Sequence, residues 1–232
     1  MTSIGRLARR LRARGASRDD DAPGALTVVT STYPPHLGGL EEVARETAQV
    51  LARRRPVRVL TTDADAGDAP RRDTEGEVEV RRHRSRVIAN TAVAPGLLVR
   101  LFALPRDTVA YVHVASLLVP EVTALAARLR GYRTVMHFHL DVAPNGPLGR
   151  ILEPYKTLAV GPALRHADRV VVLSDEQRRF VARRYAVAWD RIRVVPNGVS
   201  VRRLEPEAPW RDPWPDAPDG LRVLFVGRLA TQ

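Results

Sequence analysis

From residue 25 onward, short apolar runs alternate with longer stretches in which apolar residues recur every three or four positions. Short runs of this kind predict buried strands, and the longer periodic stretches predict helices that pack on them. The segment 77–84 differs because Val78 and Val80 alternate with charged neighbours, as in a half-buried strand. The predicted strands are 26–30, 57–61, 77–84, 108–115, 133–139, 169–173 and 192–195.

The helices are predicted between these strands, at 39–55, 95–104, 120–130, 147–167 and 175–185. Pro154 and Pro162 must kink or split the fourth of them. Ser174 and Gln177 have the spacing of a capping box, so the last helix begins there. In the first helix one face carries the apolar positions Val43, Ala44, Thr47, Ala48 and Leu51.

Regular alternation of strands and helices predicts an α/β fold with a Rossmann-like, doubly wound parallel sheet. In such sheets ligands bind beyond the carboxyl ends of the strands, so functional residues should follow strands immediately. The fold class therefore directs the search for chemistry to the loops after the strands.

Composition changes markedly at both ends of this region. Residues 1–24 form a basic tail in which Ile4, Leu7 and Leu11 recur at helical spacing, so it is either a frayed tail or an amphipathic helix on an anionic membrane. Residues 25–204 are the Rossmann-like domain, and 205–220 are a proline-rich linker. Residues 221–232 predict the first strand of a second domain whose remainder lies beyond this sequence.

The charge balance is strongly basic, with 37 Lys and Arg against 26 Asp and Glu, a net charge of +11. Such a charge favours anionic partners such as lipid head groups or nucleotide phosphates. Nucleic acid is not predicted as a partner, because no aromatic-interleaved basic stripe or nucleic-acid-binding motif is present. The sequence has no cysteine, no secretory signal and no apolar run of about 18 residues, so a cytoplasmic location is predicted, either free or peripheral at the inner face of the membrane.

The first candidate site is the segment YPPHLGGLE, residues 33–41, between the first strand and the first helix. Gly38 and Gly39 at a helix N-terminus would let backbone amides approach a phosphate. A tight turn between strand and helix explains the two glycines equally well, and the dinucleotide fingerprint G-x-G-x-x-G is absent.

Histidines supply the second candidate site. His137 and His139 share one face of their predicted strand, and His113 lies near the end of another, where it can face the same cleft. Two histidines on one face could bind a metal, but no third ligand is evident nearby, so no metal is predicted. Asp63 and Asp65 imitate a metal-binding D-x-D, but we interpret them as a solvated turn.

Five segments, in order along the chain, resemble the retaining glycosyltransferases of family 4. This GT-B group includes sucrose synthases and phosphatidylinositol mannosyltransferases. The resemblance covers residues 25–232 and rests on YPPHLGGLE at 33–41, VMHFHLD at 135–141, ADRVVVLS at 167–174, VVPNGV at 194–199 and FVGRL at 225–229.

The resemblance implies the N-terminal, acceptor-side half of a GT-B fold. It places Gly38 and Gly39 near the donor diphosphate and the acceptor pocket, and His139 as the catalytic residue that hydrogen-bonds the transferred sugar or the reacting centre. Asp141 would hold His139 or begin a loop, and Asn197 would shape the crossover between domains. Arg228 would hold the donor diphosphate, a role suited to guanidinium.

The implied function is transfer of a hexose from a nucleotide-sugar to a carbohydrate or lipid-linked acceptor with retention of configuration, without a cofactor or metal. Ser200 departs from the family, which usually has Asp there. The family's lysine after Gly-Arg and its E-x7-E element are absent from these 232 residues, so the chain alone is expected to be inactive. The alternative is a truncated, non-catalytic domain that binds an acceptor or partner.

Overall fold

The protein is described by a computed structural model that covers residues 26–88, 91–139, 153–198 and residue 225. Most of its strands form one eight-stranded sheet in the order β10-β9-β8-β7-β1-β2-β4-β3, and β5 and β6 form a separate hairpin. The strands are β1 Leu26–Val29, β2 Val57–Thr62, β3 Arg72–Glu75, β4 Val78–His83, β5 Arg86–Ile88, β6 Thr91–Val93, β7 Val109–Val114, β8 Arg133–Phe138, β9 Arg169–Val172 and β10 Ile192–Val194.

Strand order reverses between β1 and β7. From β1 the chain adds β2 and β4 on one side, and β7 to β10 follow on the other side. All neighbours in the large sheet are parallel except β3, which pairs antiparallel with β4 at the edge. Such a reversal opens a crevice beyond the carboxyl ends of the two central strands, which is where α/β proteins bind ligands. The predicted fold class is confirmed.

Helices cover both faces of the sheet. The α-helices that lie wholly within the described residues are α1 Gly39–Ala52, α2 Pro95–Leu101, α3 Val119–Arg130, α4 Gly161–His166 and α5 Asp175–Tyr185. A π-helical segment, Lys156–Val160, leads into α4, and a short 3-10 helix, Trp189–Arg191, precedes β10.

The apolar core has one layer on each face of the sheet. Alternate residues of a strand point to opposite faces, so Val59 of β2 packs with α1 while Leu60 packs with the other helices. On the α1 side the helix contributes the small residues Ala44, Ala48 and Ala52. The other layer is larger and joins α2, α3, α4 and α5 to β7, β8 and β9.

The first helix differs in detail from its prediction. It ends at Ala52 rather than at residue 55, and its buried residues are Glu41, Ala44, Ala48 and Ala52. Val43 and Leu51, predicted on the apolar face, are only half-buried. The small residues face the sheet because they allow the helix to approach β1 and β2 closely.

Two structured segments were not predicted. Strand β3 lies within 63–76, where neither a strand nor a helix was predicted, and the β5–β6 hairpin lies between β4 and α2. Strand β3 is polar and half-exposed along its length, so it has no apolar alternation to reveal it. It forms because it extends the sheet at the edge of β4.

Several predicted helix ends are confirmed. The Ser174 Oγ atom accepts a hydrogen bond from the Gln177 N–H at 3.2 Å, which is the predicted cap of α5. Helix α3 ends at Gly131 with φ of 82°, a left-handed conformation that glycine adopts without a side-chain clash. The predicted kink in 147–167 takes the form of the π-helical segment before Pro162, while 147–152 lie outside the described residues.

The N-terminal tail, the predicted linker and the predicted last strand, apart from residue 225, lie outside the described residues. Among the helices that are described, none is long and apolar enough to cross a membrane.

Candidate active site

The candidate residues leave the sheet at its carboxyl edge, around the place where strand order reverses. The segment 30–38 follows β1, and the neighbouring strand β7 carries His113 one residue before its end. His139 follows β8, which pairs with β7. Two predicted sites that are far apart in sequence therefore lie on adjoining strands of one edge.

The loop after β1 is organised around the buried carboxylate of Glu41. Glu41 is only 5% exposed although it belongs to the first turn of α1. Its Oε1 atom accepts a short hydrogen bond of 2.5 Å from the Thr32 hydroxyl. The His36 Nδ1 atom lies 3.0 Å from the same oxygen, without the alignment of a hydrogen bond, and His36 Nε2 lies 3.5 Å from Asp65.

The same loop is anchored from the far side by Arg82 of β4. The Arg82 side chain is 1% exposed, and its guanidinium donates to the Pro34 carbonyl at 2.7 Å and to the Pro70 carbonyl at 2.9 Å. The Tyr33 hydroxyl donates to Glu75 Oε2 at 3.2 Å, and burial raises the pKa of this buried phenol. One buried cation thus joins the loop after β1 to the loop before β3.

Gly38 and Gly39 have different surroundings. A Cβ atom at Gly38 would overlap the Glu41 carboxylate, whereas a Cβ atom at Gly39 would meet nothing within 4 Å. The Gly38 backbone is extended, so its requirement for glycine is steric. Space is therefore open beside Gly39, and the Glu41 carboxylate closes the side of Gly38.

Gly38→Ala should lower the free energy of unfolding by about 1–3 kcal/mol, because the Glu41 carboxylate must leave its partner Thr32 while still buried. Gly39→Ala is the matched control and should change stability little, since its Cβ meets open space. Urea unfolding of both variants measures the difference. Equal stabilities would contradict the steric role of Gly38.

Three imidazoles lie together at the ends of β7 and β8. His113 and His137 are paired in register on neighbouring strands, and His139 lies two positions beyond His137. The His113 Nδ1 and His139 Nε2 atoms are hydrogen-bonded at 2.8 Å, and these two rings are stacked. The His137 Nδ1 atom is 3.0 Å from the Tyr111 hydroxyl. We call His113, His137 and His139 the histidine trio.

Burial keeps the trio neutral at physiological pH. It lowers the pKa of His137 to about 3 and that of His139 to about 4, with the neighbouring imidazole adding to the effect at His137. The pKa of His113 is also well below its ordinary value, mainly through burial and then through the other two rings. Each ring therefore offers one N–H donor and one lone pair.

The expectation that no third ligand accompanies His137 and His139 was wrong. His113 supplies it, because β7 and β8 are hydrogen-bonded neighbours whose register places His113 beside His137. One ring nitrogen from each of the three residues lies within 4.8 Å of the others. Strand parity places His137 and His139 on one face, but the partner strand could not be read from the sequence.

Gln177 connects the cap of α5 to the histidine trio. Its Oε1 atom accepts from the Leu173 N–H, and its Nε2 atom donates to the His139 carbonyl, both at 2.8 Å. The predicted capping residue therefore also fixes the backbone of the candidate catalytic residue. This second role could not be seen in the capping motif.

Gln177→Ala should destabilise the protein more than Ser174→Ala. Ser174→Ala removes the cap, which contributes about 1 kcal/mol. Gln177→Ala keeps that backbone bond but removes the side-chain bonds to the Leu173 amide and the His139 carbonyl, which together contribute about 1–3 kcal/mol. Arg179→Ala, at an exposed position of the same helix, serves as control. Denaturant unfolding compares the variants, and a Gln177 variant no weaker than the Ser174 variant would refute the link.

A family model covers most of the chain. The model described as Glycosyltransferase Family 4 matches residues 37–203. The chain belongs to glycosyltransferase family 4. This match confirms the family resemblance, and it includes both the Gly38–Gly39 turn and the histidine trio. No curated protein sequence matches the chain.

Two solved structures match this family 4 chain at low sequence identity, and the first of the two shares its fold. Sucrose-phosphate synthase of Thermosynechococcus elongatus is 13% identical with a TM-score of 0.53, covering 77% of this chain and 49% of its own. HepE of Anabaena, solved in complex with UDP, is 15% identical with a TM-score of 0.49, covering 77% and 45%. The chain thus spans about half the length of the solved structures it matches.

Asn197, a predicted site residue that the structure describes, does not lie at the trio. Asn197 is exposed beyond β10, at the edge of the sheet and two strands from β8. Asp141 and Arg228 lie outside the described residues. Asp63 accepts hydrogen bonds from the backbone and hydroxyl of Ser85, both at 2.8 Å, so it organises a turn and is less solvated than predicted.

Two residues beside the candidate site residues, Glu41 and Tyr111, were not selected from the sequence of this family 4 chain. Glu41 is the last residue of the motif at 33–41, but a glutamate in the first turn of a helix is usually explained by its favourable interaction with the helix dipole. Tyr111 shares a strand face with His113, two positions away, so the same parity argument that selected His137 could have found it.

Proposed function

We propose that the protein transfers a hexose from a nucleotide-sugar to an acceptor hydroxyl with retention of configuration, and that this chain contributes mainly the acceptor-side domain. The observation that carries the proposal is the shared position of the Gly38–Gly39 turn and of His139. The turn follows β1 and His139 follows β8, so both lie at the carboxyl edge of the sheet near the reversal of strand order between β1 and β7. The chain belongs to glycosyltransferase family 4.

His139 is the proposed catalytic residue. It is partly exposed and neutral, and its carbonyl is held by Gln177. A neutral imidazole can donate or accept one hydrogen bond at the transferred sugar, and its low pKa makes it a poor general base. The acceptor oxygen then bonds to the anomeric carbon as the bond from that carbon to the diphosphate breaks, and the hydroxyl proton passes to the departing phosphate oxygen.

The Gly38–Gly39 turn would lie beside the donor diphosphate and the acceptor pocket. Open space beside Gly39 supports close approach of a substrate to the backbone there. The Glu41 carboxylate on the side of Gly38 would repel a phosphate, so the anion is expected on the side of Gly39. Arg228 would supply positive charge to the diphosphate, Asp141 would hold His139, and Asn197 would shape the crossover between domains.

The acceptor is proposed to be a carbohydrate or a lipid-linked sugar. The net charge of +11 supports contact with an anionic membrane surface. On α5, the exposed Arg179 and Arg183 adjoin Phe180, which is 37% exposed, a combination suited to peripheral contact.

Incubation of the full natural protein with UDP- and GDP-hexoses tests the function. We expect release of the nucleoside diphosphate, and proton NMR of the product should show the anomeric configuration of the donor. Product with the opposite configuration would exclude retention. A folded protein that binds an acceptor glycan but releases no nucleoside diphosphate from any donor would favour the non-catalytic alternative instead.

A further inference from the structure

The histidine trio contains ring nitrogens that its hydrogen bonds do not use. Among residues 26–88, 91–139 and 153–198 it is the group of three side chains able to hold a metal ion. His113 is 1% exposed and His137 is 3% exposed. The Nε2 atoms of both rings are buried without a hydrogen-bond partner. A buried polar atom left unpaired destabilises the fold, so two in one cluster call for an explanation.

A divalent transition metal would satisfy such a cluster. Imidazole nitrogen is a preferred ligand of Zn²⁺, and three protein ligands with one open position form a common tetrahedral zinc site. The rings are neutral, which is the form that binds a metal. The three ligand nitrogens lie within 4.8 Å of one another. Rotation of the rings can therefore bring each nitrogen to ~2.1 Å from a shared zinc ion, the length of a Zn–N bond.

The surroundings of the trio fit a ligand set. The Tyr111 hydroxyl contacts His137 Nδ1 at 3.0 Å, which leaves His137 Nε2 available. A hydrogen bond at the second ring nitrogen orients the ring in most histidine metal sites. The Gln177 side chain holds the backbone of His139, so the third ring is also positioned by its neighbours.

We propose that His113, His137 and His139 form a binding site for a zinc-class divalent ion at the carboxyl ends of β7 and β8. The Nε2 atoms of His113 and His137, which lack hydrogen-bond partners, bind the ion, His139 supplies the third nitrogen, and water takes the fourth position on the side of His139, the partly exposed member. The site does not depend on the transfer reaction. Because it uses the nitrogen atoms of His139, a bound ion competes with sugar for that residue.

Titration of the chelator-treated protein with Co²⁺ tests the site through a spectroscopic signal that needs no activity. We expect one Co²⁺ per chain, the intense visible bands of tetrahedral cobalt, and their loss when Zn²⁺ is added. His137→Asn should weaken Zn²⁺ binding by about 100-fold or more, because a direct ligand matters at least as much as the residues that orient it. His166→Asn, at an exposed histidine on α4, is the matched control and should bind as the unaltered protein does.

His139→Gln provides the second variant, since His139 lies beyond the end of β8 and its loss should leave the fold intact, as circular dichroism will show. It should also weaken Zn²⁺ binding by about 100-fold or more. The proposal is overturned if the unaltered protein shows no tetrahedral cobalt bands, or if folded His139→Gln protein binds Zn²⁺ as tightly as the His166→Asn control. Either failure leaves the glycosyl-transfer proposal untouched, because that is measured by release of nucleoside diphosphate from metal-free protein.

Discussion

Replacing His139 with alanine should lower the kcat of hexosyl transfer by about 100-fold or more, with little change in KM for the nucleotide-sugar. A hydrogen bond aimed at the position where charge develops contributes about 10²–10³ in kcat when it acts mainly in the transition state. The His139 side chain is suited to this role because its ring is neutral and stacked on His113, and its backbone is fixed by Gln177.

The measurement is steady-state transfer by the full natural protein in the presence of a chelator, so that metal at the trio does not contribute. His166→Ala is the control for loss of an imidazole far from the site and should retain full activity. A His139 variant that keeps kcat within about threefold would remove His139 from the catalytic machinery. A raised KM with unchanged kcat would instead assign it to ground-state binding.

Arg82→Met should lower the free energy of unfolding by about 2–4 kcal/mol, the largest stability effect expected here. Methionine fills much of the same volume, but it removes the charged donor to the half-buried Pro34 carbonyl and to the carbonyl of the exposed Pro70, together with the ion pair to Asp73. A hydrogen bond from a charged group contributes roughly 1.5–3 kcal/mol. The lost bond to the Pro34 carbonyl belongs to the loop after β1, so the Gly38–Gly39 turn at the end of that loop should also become less ordered.

Arg71→Met is the matched control, because Arg71 is exposed and neighbours the same strand pair. Thermal and urea unfolding should separate the two variants, and amide hydrogen exchange should show faster exchange in residues 32–38 of the Arg82 variant only. If both variants unfold alike, Arg82 does not anchor the loop.

The fold could be predicted from the sequence where local pattern and burial agree. The run at β1 is apolar and entirely buried from Thr27 onward, and the Ser174–Gln177 spacing marks the start of α5. Strand β3 could not be predicted, since its pairing with β4 depends on a partner strand and its own residues are polar. The buried face of α1 was predicted only in part: Ala44 and Ala48 face the sheet as predicted, whereas the bulkier Val43 and Leu51 are half-buried.

The candidate site was predictable residue by residue but not as a group. Parity within one strand places His137 and His139 on one face, and position at a strand end selects His113. Their contact requires the register of β7 against β8, which no local pattern contains. Glu41 was missed for a related reason, since its burial arises from the way the loop folds back over the helix N-terminus.

The reversal of strand order also has a consequence for how the chain folds. Leu26 pairs with Val109, more than twice the sequence separation of the next most distant pairing in the sheet, Val135 with Arg169. Closing a longer loop costs more entropy, and distant pairings slow folding. The β1–β2–β4 half and the β7–β10 half can each form from nearby segments, so we expect the joining of β1 to β7 to be the late, slow step. The crevice in which we propose that substrate binds would then form only in the last step of folding.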